Sequence, residues 1–510
     1  MSMQVYDYLL KAAADVPDAA ALEFMGKPVS YARLAENALK LASGLEAQGV
    51  ERGASIGLLL PNIPQFVEAL YGSWFHGNVV VPMSVLSTAP EIRYLVEDSS
   101  IRALFVYELF LPQVEAAIAT LASPPRVFVV GQSAPMIVDM VSPGKNVSMQ
   151  ALIEGQTPID VAKPDGKDSH LLTIYTSGTT GKPKGAVISN ANIIGQLDMT
   201  GDLFPPLPSD RVLCVLPLFH VFALNAVLAF NIRHRLTVVL HTKFDVAAAL
   251  ESLQKDRITI FNGVPTMYFY LLKHSGPDTK FPDLRLCISG GSAMPVEVLH
   301  SFEDKFQVPI FEGYGMTETT VSVCCNRLDA KKVGSVGKPF DRVDLKILDD
   351  AGTEVAPKAL GEICVRGPNI MQRYLNRPEA TAETIVDGWL HTGDIGYVDE
   401  AGFVFIVDRK KDMIIKGGYN IYPREIEEVL YQMPQIAEAA VVGIKDEAKG
   451  EQVRAVISVR PGAELDEDAV QQYLSQNLAK YKLPAEYVFV TELPKGPTGK
   501  ILKRELRDQN

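Results

Sequence analysis

Residues Tyr175–Gly185 read YTSGTTGKPKG, directly after an apolar run, Leu171–Tyr175, with the character of a strand. Four small hydroxyl residues, Thr176, Ser177, Thr179 and Thr180, are interspersed with Gly178, Gly181 and Gly185. Glycine lets backbone wrap closely round an anion and present its N–H groups, and hydroxyls add donors. Lys182 and Lys184 supply positive charge in what the sequence suggests is a flexible setting. Together these residues describe a clamp for a polyphosphate. They do not describe a P-loop. The spacing between Gly178 and Gly181 is too short, and Pro183 follows Lys182 where Ser or Thr is required.

Further strings follow in order: LPLFHVF (Leu216–Phe222), SGGSAMP (Ser289–Pro295), EGYGMTE (Glu312–Glu318), GWLHTGD (Gly388–Asp394), DRKKDMIIKGGYNIYPREIE (Asp408–Glu427) and PKGPTGKILKREL (Pro494–Leu506). With YTSGTTGKPKG they resemble the signature segments of the adenylate-forming superfamily. That superfamily includes acyl- and aryl-CoA synthetases, luciferase and the adenylation domains of peptide synthetases. The resemblance spans nearly the whole chain and points to the acyl-CoA synthetase, or fatty acid–CoA ligase, branch.

It implies a reaction in two halves. A carboxylate attacks the α-phosphorus of ATP, pyrophosphate leaves, and the acyl-adenylate then passes its acyl group to coenzyme A. Two anions must meet, so positioned cations and donors carry most of the catalysis. By resemblance, ATP is held by Thr176, Ser177, Gly178, Thr179, Thr180 and Lys184, with Gly290, Gly291, Ser292, Glu312, Gly313, Tyr314 and Gly315 round the adenine and α-phosphate. Thr317 donates to the α-phosphate, Tyr314 packs on the adenine, and Glu318 is the Mg2+ ligand. A hard cation of this kind often takes one protein carboxylate together with phosphates and water. Asp394 holds the ribose, since a carboxylate can accept from both hydroxyls, and Arg409 reinforces that contact. Lys500, in a Gly- and Pro-rich turn, reaches the reacting carboxylate and the α-phosphate. His220 borders the acyl pocket as a positioner or gate rather than a proton shuttle. Lys411 is the hinge about which a C-terminal domain rotates, exchanging Lys500 for a CoA tunnel at Lys416, Gly417, Gly418 and Tyr419.

For the acid, Phe219, Phe222, Val264 and Met316 are the expected pocket residues. The segments Leu216–Asn231 and Ile258–Leu272 contain no Lys, Arg, Asp or Glu. A second carboxylate would need a buried cation there, so a monocarboxylate with an apolar tail is favoured. A medium- or long-chain fatty acid comes first and a 4-coumarate-like aryl acid second. A luciferase-like oxygenase and a non-catalytic nucleotide sensor are the rival classes; intact Lys500 and Glu318 argue against the sensor.

The elements that must position these residues follow from hydropathy. Short apolar runs, among them Ser55–Leu60, Val127–Val130, Val212–Leu216 and Leu284–Ser289, alternate with helical patterns such as Tyr31–Gln48 and Val246–Gln254. Runs apolar throughout fit strands buried on both faces, and the alternation predicts an α/β architecture with largely parallel sheets. The expected organisation is an N-terminal AMP- and acid-binding domain of stacked α/β sheets over 1–407, with a β-rich subdomain at about 335–407. A hinge over 408–412 and a small mobile α+β domain over 413–510 complete it. The run DRKKD has no apolar side chain to bury, and its position between two complete units makes it read as a hinge.

The chain has 510 residues, a formal net charge of -12 and 47% hydrophobic residues. Such a balance excludes general nucleic-acid binding, which needs a basic footprint. The five cysteines, Cys214, Cys287, Cys324, Cys325 and Cys364, form no C-x-x-C pair, and read as buried thiols in a reducing compartment. No signal peptide or membrane-spanning run is apparent, so a cytoplasmic enzyme is expected, monomer or homodimer, whose partners are the small molecules ATP, acid and CoA.

Overall fold

The computed structural model describes residues 3–141, 146–161, 169–176, 182–201, 203–416, 419–446, 450–496 and 499–507. Among these the chain forms four sheets, of nine, eight, five and five strands. The nine-stranded sheet is parallel through its centre, where Ile260–Gly263, Leu286–Ser289 and Ile310–Tyr314 lie side by side. The eight-stranded sheet carries Ser55–Leu59, Val79–Pro82, Ile101–Tyr107 and Arg126–Val130 in parallel, and His170–Thr176 joins it beside Val79–Pro82. These strands are almost wholly buried, as their uninterrupted hydropathy requires.

One large hydrophobic cluster joins the two sheets, from Val5 to Val404, through Phe66, Trp74, Phe105, Phe128, Phe261 and Tyr268. A second lies on the far side of the eight-stranded sheet. The third sheet, Asp344–Leu348, Gly361–Arg366, Ile385–Val386, Trp389–Val398 and Val404–Arg409, is antiparallel. Beyond it, two smaller clusters lie wholly within residues 414–506, built round strands Ile436–Asp446 and Gly450–Val459 and helices Pro423–Tyr431 and Glu467–Asn477. No helix among the described residues is long and apolar enough to cross a membrane.

One local expectation is corrected. Lys184 is not in a flexible setting: it opens strand Lys184–Ser189, which returns antiparallel to His170–Thr176. Within the charge run, one side chain is withdrawn from solvent. Asp408 is buried, because its carboxylate accepts from the backbone N–H of Arg409 at 2.8 Å and of Arg424 at 2.9 Å. Arg424 lies in the first turn of helix Pro423–Tyr431, where backbone donors have no intrahelical partner. All five cysteines are buried free thiols.

Candidate active site

The carboxyl ends of parallel strands are where α/β sheets gather ligand-binding loops. Strands Ile260–Gly263, Leu286–Ser289 and Ile310–Tyr314 run out into Val264, Gly290–Gly291 and Gly315–Met316, and all five residues line one cavity of about 1390 Å³. That exceeds the roughly 300–1,000 Å³ common for a single small ligand, and leaves room for two. Gly315 is required by space alone: a Cβ there would lie 1.9 Å from the carbonyl oxygen of Val321.

One wall carries Tyr314, Asp394 and Arg409. The antiparallel register of Trp389–Val398 with Val404–Arg409 sets Asp394 opposite Arg409, 3.4 Å apart as an ion pair. The Tyr314 hydroxyl donates to Asp394 Oδ2 at 2.6 Å, so the ring is anchored as well as available for stacking. Across the cavity, the Tyr374 hydroxyl donates to Glu318 Oε1 at 2.7 Å, and the Lys184 ammonium stands 5.0 Å above the Tyr374 ring. Thr317 begins the single 3-10 turn Thr317–Thr319 and lines the cavity beside Glu318.

The two stems of the expected phosphate clamp are tied to one side chain system. Tyr175 donates to Asp98 Oδ2 at 2.7 Å, Arg377 donates to Asp98 Oδ1 at 2.7 Å, and the Tyr94 hydroxyl donates to the carbonyl of Pro183 at 2.8 Å. Lys182 lies 5.2 Å over the Tyr94 ring. Thr176 lines the cavity; Ser177, Gly178, Thr179 and Thr180 lie outside the described residues.

Lys500 lies in the cavity. Burial, then the positive charges of Arg409 and Lys411, push its ammonium down to about 7, against the opposing pull of Asp394 and Asp412. His220 also lines the cavity, and burial next to Lys500 lowers it to about 4, which keeps the imidazole neutral. Its Nδ1 takes the N–H of Phe222 at 3.3 Å, at the entrance to a π-helix, Phe222–Ala229. Phe219, Phe222, Val264, Ile288, Gly290, Gly291, Met316 and Val321 supply an uncharged stretch of wall.

Several expected residues fall elsewhere. Glu312 is buried and not among the lining residues; it accepts from Met294 N–H at 3.0 Å, and burial raises its carboxyl to about 7. Ser292 is likewise not among them. Lys416 donates to the carbonyl of Leu483 at 3.2 Å, and exposed Tyr419 stacks on Tyr481 at 4.9 Å; neither lines the cavity, and Gly417 and Gly418 lie outside the described residues. Lys411 does line it. Sequence reasoning missed Tyr374, Asp98, Tyr94 and Arg377. Each lies far along the chain from its partner, so no local spacing marks them.

Lys500, the Asp394–Arg409 pair and Glu318 share one large cavity, and the sequence matches agree with that grouping. Residues 9–375 match the AMP-binding enzyme model, and residues 425–500 match the AMP-binding enzyme C-terminal domain. This chain belongs to the AMP-binding enzyme family. Its relatives lie in the CoA-ligase branch of the adenylate-forming superfamily. A long-chain-fatty-acid–CoA ligase of Bacillus subtilis is 36% identical over 98% of this chain and 93% of its own length. An indoleacetate–CoA ligase of Aromatoleum aromaticum is 37% identical over 99% and 98%. Among solved structures, an anthranilate CoA ligase in complex with anthranoyl-AMP superposes with a TM-score of 0.91 at 27% identity, covering 99% of this chain and 96% of that one. The α/β fold class and the acid–thiol ligase class expected from the motifs are therefore met.

Proposed function

We propose that the enzyme is an ATP-dependent acyl-CoA synthetase acting on a monocarboxylic acid with an apolar tail, in first place a medium- or long-chain fatty acid. The observation that carries it is Lys500, half-buried in the same cavity as the Asp394–Arg409 pair and beside an uncharged wall. In the first half-reaction the acid's carboxylate oxygen bonds to the α-phosphorus and the bond to pyrophosphate breaks. Lys500 and Thr317 steady the charge at that phosphoryl group. Tyr314 takes the adenine, Asp394 and Arg409 the ribose. Glu318 is the one carboxylate offered to Mg2+, which supplies charge neutralisation at the phosphates.

In the second half-reaction the CoA sulfur bonds to the acyl carbon, the bond to AMP breaks, and the thiol proton passes to solvent. We propose that residues 413–510 turn about Lys411 between the halves, bringing Lys416–Tyr419 towards the adenylate. The separate hydrophobic clusters of residues 414–506 support such a unit. An aryl acid is the second reading. Phe222 faces Gly290, where an added Cβ would approach the ring to 3.3 Å, and a flat substrate suits such a slot. CoA-dependent AMP release, assayed across fatty acids, cinnamates and dicarboxylates, tests both. AMP release without CoA dependence, or with dicarboxylates alone, overturns the proposal.

A further inference from the structure

Lys500 owes its position to contacts made outside the cavity. It sits on a hairpin closed by Gly496 N–H to the Lys500 carbonyl at 2.8 Å and by an antiparallel bridge between Lys495 and Ile501. Placing Lys495 therefore places Lys500. Lys495 is largely buried, its side chain 15% exposed, and its ammonium donates to Glu438 Oε2 at 2.8 Å and to the Tyr270 hydroxyl at 3.0 Å. It also stands 5.1 Å from the centre of the Tyr270 ring.

Tyr270 belongs to helix Pro265–His274, which springs from the acid-pocket residue Val264. Residues 266, 269 and 270 share one helix face, by the three- and four-residue spacing of α-helical neighbours. All three meet the C-terminal unit. Thr266 donates to the carbonyl of Gly499 at 3.4 Å, and Arg460 stands 5.8 Å over the Phe269 ring. Val264 itself packs so close to Gly499 that a Cβ there would come within 3.2 Å of its methyl.

We infer that helix Pro265–His274 is the docking platform for the Lys500 hairpin, and that Tyr270 is a positioning residue of the adenylating arrangement. The inference rests on the acyl-CoA synthetase reading, with its turning C-terminal unit. The helix has two loads. Its N-cap, Val264, borders the acid pocket; its outer face holds the hairpin through Thr266, Phe269 and Tyr270. These contacts exist only while Lys500 is in the cavity, so they bias the unit towards the first half-reaction and are given up in the second. Tyr270 is not among the cavity-lining residues, whereas Lys495, which it holds, is.

The half-reactions separate this from a merely structural role. Adenylation is read as acid-dependent exchange of pyrophosphate into ATP, and thioester formation from a supplied acyl-adenylate with CoA. Tyr270→Phe keeps the ring under the ammonium and loses the hydrogen bond, and Lys495 stays paired with Glu438. Its adenylation kcat should fall about threefold, and that of Tyr270→Leu about tenfold. The KM for the acid should stay unchanged and thioester formation undiminished. Equal losses in both halves, or none in either, overturn the inference while leaving the ligase reading intact. A parent enzyme that exchanges pyrophosphate with no acid removes the ligase reading, and the inference with it.

Discussion

Tyr374 gives its hydroxyl to Glu318 Oε1 at 2.7 Å, from a position 56 residues further along the chain. The bond fixes in the cavity wall the carboxylate proposed for Mg2+. Glu318→Gln should raise the Mg2+ concentration needed for half-maximal adenylation by about tenfold or more, since the charge that attracts the ion is gone. Tyr374→Phe should raise it less, by about twofold to fivefold, the range expected for one lost hydrogen bond. Magnesium titrations of pyrophosphate exchange decide this, and unchanged curves for both variants would place the ion elsewhere.

Lys500 gives a pH signature. Its ammonium is charged below about 7 and neutral above. Adenylation needs the charged form, so kcat/KM, which reports the free enzyme, should fall as pH rises through about 7. Bound ATP and carboxylate raise a neighbouring lysine, so the corresponding limb in kcat should lie at higher pH. Lys500→Arg stays charged throughout and should lose the limb in kcat/KM whatever its absolute rate. Lys500→Ala should lower adenylation by about 10²–10³ and spare thioester formation from supplied adenylate.

Lys411→Pro should show the opposite split. Proline fixes φ near about −65° and resists rotation at that residue. The adenylate should form and accumulate on the enzyme, detected by acid quench, while acyl-CoA appears at least tenfold more slowly, about 1.4 kcal/mol. Acyl-CoA at the parental rate would remove Lys411 from the hinge.

The acid pocket is open to a series. Each methylene that reaches apolar wall gains about 0.8 kcal/mol, or fourfold, until the wall ends. Catalytic efficiency should climb from acetate through longer fatty acids and then level off. Malonate and succinate should be poor, because a second carboxylate would be buried without a cation. Val264→Phe should move the optimum to shorter acids. Cinnamates ahead of every fatty acid would leave the chemistry standing and promote the aryl reading.

What could be read in the sequence was what local patterning encodes. Almost wholly apolar runs, such as Val127–Val130 within strand Arg126–Val130, announced parallel sheets, and the motif glycines announced close backbone approach. Gly315 has that requirement in the structure. Contacts between distant segments were not legible. Asp98 meets Tyr175 and Arg377 across 77 and 279 residues, and nothing in the neighbourhood of any of the three marks the pairing. Burial of Asp408 escaped for a related reason: a charge run signals solvent unless a helix start lies against it, and here one does.

The π-helix Phe222–Ala229 carries one residue more than an α-helix would need over the same rise. Its extra residue is one that a deletion can remove. Deleting one residue between Phe222 and Ala229 would restore regular α-helical bonding and favour the bare fold. It would also turn everything on one side of the deletion by about 100°, swinging Phe222 off Gly290 or shifting Phe230 and its neighbours out of their packing. The length of this segment therefore ties the shape of the acid site to a backbone less regular than folding alone would select. Single-residue length changes there would be a sharper route to new acid preferences than any side-chain exchange.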